Sequence, residues 1–412
     1  MDISSPDVRY KRVLTTKDLI LLGLSMTIGS GIFVLIDDVA KYSKNLVWLS
    51  FILAGFVGLL TAMGYGELSS IFANNMGEVD YIRSVTNNKT ANIMGICILV
   101  SDIFIISTIA LGLGNYLSKI IKINVKILAI MSLIVLNYLN YRSIRLSVNV
   151  SNTMLYIKLF VLFVIVVLCF MNYSPTEPFF SAQNVDSYGL STASIIALFA
   201  YLGFNNMTNF SEETIDPAVS IGKAMTYTIL IVTIIYTLIA FASLFVSNSM
   251  ELSQTTTPLA LISGKLFGSY GYLLFILIAI ISLSDTLLVS SVSESRYMHS
   301  FFSNMDENYG RVDMDTSYKT PYLSIIILII MSIILISIFK NIGTTAIYGD
   351  VLILIIFTVV NITVITLRYT YPEIERKYRI PFNVGKLPIP SVVAIILCLY
   401  AIYKYIGYVL FV

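Results

Sequence analysis

The residues able to do chemistry in this chain are a few flexible or polar positions set inside long apolar runs. In LGLSMTIGSGIFVLID, residues 22–37, two glycines flank Ser30. Each glycine costs a helix about 1 kcal/mol relative to alanine, so the run predicts an interruption over Ile28–Ile32. An unwound segment frees N–H and C=O groups, which is tolerated at membrane depth only where they line a cavity or are buried in protein. The amides of Gly29, Ser30, Gly31 and Ile32 open the next half-helix and suit an anion such as a carboxylate. The carbonyl of Ile28 is a candidate acceptor for an ammonium group. A second interruption is expected at Leu202-Gly203-Phe204-Asn205-Asn206, with the carbonyls of Phe199, Ala200 and Leu202 as further acceptors. The competing reading is that glycine only lets helices pack closely.

Ionisable residues within apolar runs are rare and mark ion or proton pathways. Lys158 stands in NTMLYIKLFVLFVIVVLCF. Burial disfavours a charged amine, so such a lysine can exchange its proton as its surroundings change. The alternative is a lysine snorkelling to a nearby interface. Asp102 and Asp285 have three readings: a pair with Lys158, a contact for a cationic substrate, or a packed polar cluster. Asn205 and Asn206 either bond substrate or satisfy the broken backbone. Glu67 reads as a tie between helices or loops, and Glu212 and Glu213 as gate or capping residues.

The elements that must position these groups follow from composition. Of 412 residues, 57% are apolar and 12% charged, against about 25% charged in soluble domains. The apolar residues fall in runs of roughly 20, the length of a transmembrane helix, without the alternation a barrel needs. The fold class is therefore an all-α polytopic membrane protein. Eleven spans are expected, at 18–42, 46–73, 90–118, 124–140, 150–171, 191–212, 222–247, 268–297, 321–339, 344–368 and 389–411. The segment 255–267 reads as a short external interfacial helix. Arg9, Lys11, Arg12 and Lys17, with Arg368, Arg376, Lys377, Arg379 and Lys386, place the N-terminus in the cytoplasm by the positive-inside rule. The polar N-terminus has no cleavable signal pattern, so the first span is expected to stay as an anchor. Interrupted helices 1 and 6, each leading a group of five, point to an inverted repeat. That gives a tail (1–17), a first repeat of helices 1–5 (18–172), a second of helices 6–10 (191–368), a cytoplasmic loop (369–388) and an eleventh helix (389–412).

Other classes find little support. The basic residues are scattered, so no nucleic-acid partner is indicated, and Cys97, Cys169 and Cys398 form neither a disulfide framework nor a metal site. The single His299 is assigned to a loop, and no enzyme motif or Walker A sequence is present.

Five pieces in order resemble the amino acid–polyamine–organocation (APC) superfamily of amino-acid permeases: IGSGIF (28–33), YGELSSIF (65–72), FAYLGFNNMTNFSEETIDP (199–217), SESRYMHSFF (293–302) and LRYTYPEIERKYRIPF (367–382). The resemblance implies the leucine-transporter-type 5+5 fold and secondary transport of amino acids or related amines across the plasma membrane. It implies a small-molecule amino acid and the lipid bilayer as partners, no cofactor, and a proton gradient as energy source. In proton-coupled members a lysine in helix 5 replaces a sodium ion held between helices 1 and 8. By that likeness Lys158 contacts carbonyls near Gly29 and hydroxyls on helix 8, with Ser282 and Thr286 as its partners, while Phe199 lies across the substrate as a gate. Asn205 stands where members often carry an acidic residue, which favours neutral substrates. The alternatives are exchange or export without proton coupling, and a transport-like receptor or channel.

Overall fold

The computed structural model describes residues 12–72, 77–142, 144–172, 187–314, 320–339 and 342–411; Arg9 and Lys11 of the basic set lie outside them. The first apolar run does not form one helix. It gives α1 (Thr16–Thr27), α2 (Ser30–Val34) and α3 (Ile36–Ser43), because Ile28 and Gly29 leave helical geometry, Gly29 at φ −164° and ψ −110°. A capping box between Thr15 and Asp18 fixes where α1 begins, satisfying amides that have no partner within the helix. After it come α4 (Val47–Ser69), the short α5 (Gly77–Arg83), α6 (Asn88–Ser118), α7 (Val125–Arg142) and α8 (Ile144–Met171).

The second half repeats the theme. Helix α9 (Ser187–Leu198) gives way to a 3-10 turn at Phe199–Tyr201, an extended Leu202, Gly203 at φ 104°, and a longer 3-10 segment at Asn205–Glu213. A positive φ is open to glycine without a Cβ penalty, so the break falls at Gly203. Then follow α10 (Pro217–Ser243), α11 (Ser249–Ser253), α12 (Pro258–Met305), α13 (Glu307–Asp313), α14 (Tyr322–Ile338), α15 (Ile342–Thr370), a two-residue hairpin of β1 (Asn383–Val384) with β2 (Leu387–Pro388), and α16 (Ile389–Phe411).

Among the described residues nine helices or broken-helix segments are long and apolar enough to cross a membrane, and Tyr322–Ile338 and Ile389–Tyr405 are shorter apolar helices. Each of the eleven expected spans falls on one of these. Two boundaries differ. The segment expected as a separate interfacial helix at 255–267 runs from Pro258 into α12 across a bend at Gly268, whose φ is 67°. At its other end α12 continues to Met305 rather than stopping at 297, carrying Met298, His299 and Ser300 into the helix, so that His299 is not in a loop.

Helix α1 packs between α10, α12 and α8, and α12 also packs on α6. Both interrupted segments are therefore enclosed by continuous helices. The end of the bundle at which α1 starts, called the N-terminal face below, is tied together by long-range polar contacts. The Val13 and Leu14 amides donate to the Glu213 carbonyl at 2.8 and 2.9 Å. The Glu213 carboxylate in turn pairs with Arg296 of α12 at 2.9 Å.

Glu67, near the end of α4, is the hub of a second tie. Its carboxylate accepts from Nε and Nη2 of Arg368, from the Ile380 amide at 2.9 Å, and lies 3.3 Å from Arg376. Glu67 and Arg368 are buried. Breaking a buried ion pair from one side leaves an uncompensated charge and costs about 3–5 kcal/mol. Glu67→Ala is therefore expected to lower stability by about that amount, read as a fall in the thermal unfolding midpoint of the purified protein. An unchanged midpoint would remove Glu67 as the hub.

Candidate functional site

The two breaks face each other at the centre of the bundle. A Cβ placed on Gly31 would lie 2.2 Å from both Cα and Cβ of Ala200, and one on Gly203 would lie 3.2 Å from the Met26 carbonyl oxygen. A Cβ on Gly29 would lie 2.0 Å from Thr286 Oγ1 and 2.6 Å from Thr286 Cβ. The glycines thus serve close packing at the same positions where the backbone is broken. Ser30, Gly31 and Ile32 form the first turn of α2, where amides have no partner within the helix. Their direction suits an anion lying against that turn.

Lys158 of α8 reaches the first break. Its Nζ donates to the Ile28 carbonyl at 2.7 Å, to the Ser25 carbonyl at 3.2 Å and to Asp285 Oδ2 of α12 at 2.6 Å. The side chain is fully buried, as is Asp285. Ser151 donates to Asp285 Oδ1 and lies 3.1 Å from Ser25 Oγ. Two expected details differ. Ser282 and Thr286 do not bond Lys158; their hydroxyls donate to the same carbonyls, Thr286 to Ser25 at 2.9 Å and Ser282 to Ile28 at 3.4 Å. The reason is that an ammonium beside a carboxylate gains a charge-assisted bond that hydroxyls cannot match, so Asp285 takes the place assigned to them. For the same reason the Ile28 carbonyl, expected to hold a substrate ammonium, is already met by Lys158, Ser282 and Thr286.

Tyr236 of α10 is the residue that the sequence did not single out. Its hydroxyl lies 2.7 Å from the Thr27 carbonyl and 3.1 Å from the Ala200 carbonyl, so it spans both breaks. The Gly29 amide points at the same oxygen. Tyr201 packs edge-on against its ring, 5.4 Å between centroids, and donates to the Phe51 carbonyl at 2.7 Å. A tyrosine in an apolar run is a weak signal, since the chain has 27.

The remaining predicted residues divide. Phe199 opens the 3-10 turn and is buried; its carbonyl accepts from the Leu202 amide at 3.1 Å, which closes that turn on itself. Asn205 turns away from the first break. Its Nδ2 donates to Asn206 at 2.8 Å and to Glu78 at 3.4 Å, and Tyr65 also donates to Glu78 at 3.1 Å. Burial pushes Glu78, which lies on α5 outside the spanning segments, up to about 7. Asp102 does not meet Lys158. It faces Asn206 and Glu294, on the N-terminal side of the breaks.

Chemically, the site offers first-turn amides of α2 without a partner in their own helix, a buried ammonium–carboxylate pair fastened to the broken backbone, and a tyrosine bridging the two interruptions. The profile of the amino acid permease family matches residues 14–412. A branched-chain amino acid permease of Bacillus subtilis is 23% identical, covering 97% of this chain and 89% of its own length. A methylthioribose transporter of the same organism is 25% identical, covering 96% and 89%. A human large neutral amino acids transporter small subunit is 26% identical over 61% of this chain and 51% of its own length. With a match that runs from the start of α1 to the last residue, this multi-pass membrane protein belongs to the amino acid permease family of the APC superfamily.

Proposed function

We propose that this permease is a proton-coupled secondary transporter of amino acids that works by alternating access, with its N-terminus in the cytoplasm and its place in the plasma membrane. Helices 1–5 and 6–10 act as the two inverted repeats. The observation that carries the proposal is the Lys158 ammonium held between Ile28, Ser25 and Asp285. A charge in that position fastens α8 and α12 to the first break. Loss of its proton removes both the charge and a donor, so the break is freed. Protonation then favours the arrangement in which α1 is held, and deprotonation the one in which it moves. A substrate carboxylate is placed against the α2 amides, and its ammonium against the Leu202 carbonyl of the second break, since the Ile28 carbonyl is met by Lys158 and the Phe199 carbonyl by the Leu202 amide.

The partner of Lys158 also bears on substrate class. Asp285 is neutralised within the pair, so it is not free to select a cationic side chain. Together with Asn205 at the second break, this favours neutral amino acids. Two B. subtilis relatives are named for a branched-chain amino acid and for methylthioribose, so both classes belong in a screen.

The test is counterflow in proteoliposomes. Vesicles preloaded with a neutral amino acid are expected to accumulate labelled substrate from outside, and an inward proton gradient is expected to drive net uptake without preloading. Counterflow without any response to the proton gradient would support exchange instead. Binding without counterflow would point to a sensor, and either result sinks the proposal.

A further inference from the structure

A second group of buried ionisable residues lies apart from Lys158. Asp102 of α6 and Glu294 of α12 face one another on the N-terminal side of the breaks, their carboxyl groups within hydrogen-bonding reach. Both are buried, Glu294 completely. Neither oxygen of Glu294 has a donor, nor does Oδ2 of Asp102. Glu294 is nine residues beyond Asp285 on the same helix, about 13 Å along its axis at 1.5 Å per residue. The pair is therefore a separate locus.

Among the described residues no cation reaches it. Of the basic groups on the elements around it, Lys158 is committed to Asp285, Arg296 to Glu213, and Arg83 to Asp80. Arg296 lies about 200° around the helix from Glu294. Asn137 and Asn140 of α7 are neutral and bond Ser291 and Ser295. On α15, Asp350 accepts from Tyr405, and His299 pairs with Asp313 farther along α12. Tyr65, Tyr81 and Tyr297 supply only neutral hydroxyls, and Glu78 adds a third carboxyl nearby. Among the described residues no three His, Cys, Asp or Glu side chains converge as a metal ion would require.

Two carboxylates cannot face each other in a dry interior without a counter-charge, because like charges in low dielectric force one of the pair to take a proton. A single hydrogen between them also supplies the donor that the orphaned oxygens lack, and an unmet buried polar group is costly. We infer that Asp102 and Glu294 form a proton-binding site distinct from Lys158, holding at least one proton between them while the N-terminal face is closed. Asn206, in the 3-10 segment after the second break, joins the site to that face: its side chain meets Asp102 and its carbonyl accepts from Ser293, next to Glu294, at 3.2 Å. Ionising both carboxyls would push α6 and α12 apart at this point, so proton release and opening of the N-terminal face are linked.

Infrared difference spectroscopy of the purified, full-length protein reads the proton directly. At neutral pH the wild type is expected to show a protonated-carboxyl stretch of which Glu294→Gln removes one equivalent per protein, while Asp102→Asn shifts what remains. Both substitutions keep shape and remove the group that can take up or release a proton; each variant is first shown to be monodisperse with a wild-type thermal transition. Raising the pH should bleach the same band in the wild type. If neither variant alters the band, or if sodium or potassium removes it at constant pH, the carboxyls hold no proton or hold a metal cation, and the inference is overturned. Because the readout is a vibration and not uptake, it stands or falls separately from the coupling role of Lys158.

Discussion

Lys158→Ala is expected to abolish the response of uptake to pH and to weaken the fold at the same time. The stability loss comes from Asp285, which stays buried without its ammonium; breaking such a pair from one side costs about 3–5 kcal/mol. The loss of coupling comes from the Ile28 and Ser25 carbonyls, which no longer feel a charge that comes and goes. The two effects can be separated. In Lys158→Ala with Asp285→Asn the buried charge is gone, so the thermal midpoint should recover most of its loss while uptake stays indifferent to pH. The measurement is a thermal unfolding curve for each variant beside uptake into proteoliposomes at two pH values. Proton-driven uptake that survives in Lys158→Ala would leave the ammonium a purely structural role.

Gly31→Ala is expected to remove transport with the opposite signature, through shape and not charge. The added Cβ would meet the Ala200 Cα at 2.2 Å, and a backbone atom cannot rotate aside. Overpacking of this kind costs about 1–3 kcal/mol, or roughly 5- to 150-fold in the population of the closed arrangement at 1.4 kcal/mol per tenfold. Adding Ala200→Gly should not rescue it, because the Cα remains. A useful control is Gly58→Ala, where the nearest atom would be 3.6 Å away, on Ile229, and uptake should be retained. The binding readout is the substrate-induced thermal shift, expected to vanish in Gly31→Ala. A variant that transports normally would mean that the two breaks need not touch.

Some of this arrangement could be read from the chain and some could not, for identifiable reasons. The interruptions were legible because two glycines within an apolar run, and a Gly-Phe-Asn-Asn series within another, oppose helix locally. Lys158 stood out because charge in such runs is rare. Its partner Asp285 was one of several candidates and is the one the structure bears out. Ser282, Asp285 and Thr286 share one face of a helix by their spacing, so periodicity placed all three together without ranking them; the ranking came from charge. Asn205 could not be oriented because its partner, Glu78, sits on a short helix in a stretch that read as a loop. Glu294 fell inside the expected span 268–297 but three residues from its end, where a charged side chain does not stand out as Lys158 does; because α12 continues to Met305, it is in fact well inside the helix. Tyr236 had neither unusual charge nor unusual spacing to mark it.

That tyrosine has a consequence which follows from counting hydrogens. A phenol carries one, and two carbonyls, those of Thr27 and Ala200, lie within its reach. Between these two carbonyls the phenol is therefore one donor short. Whichever carbonyl is served, the other waits, and transferring the hydrogen from one to the other changes the number of bonds by nothing. The two broken segments can thus slide past each other around a shared pivot without first paying for a rupture. A fully satisfied junction would be firmer and would have to break before it could move; this one is built with the slack that repeated motion requires.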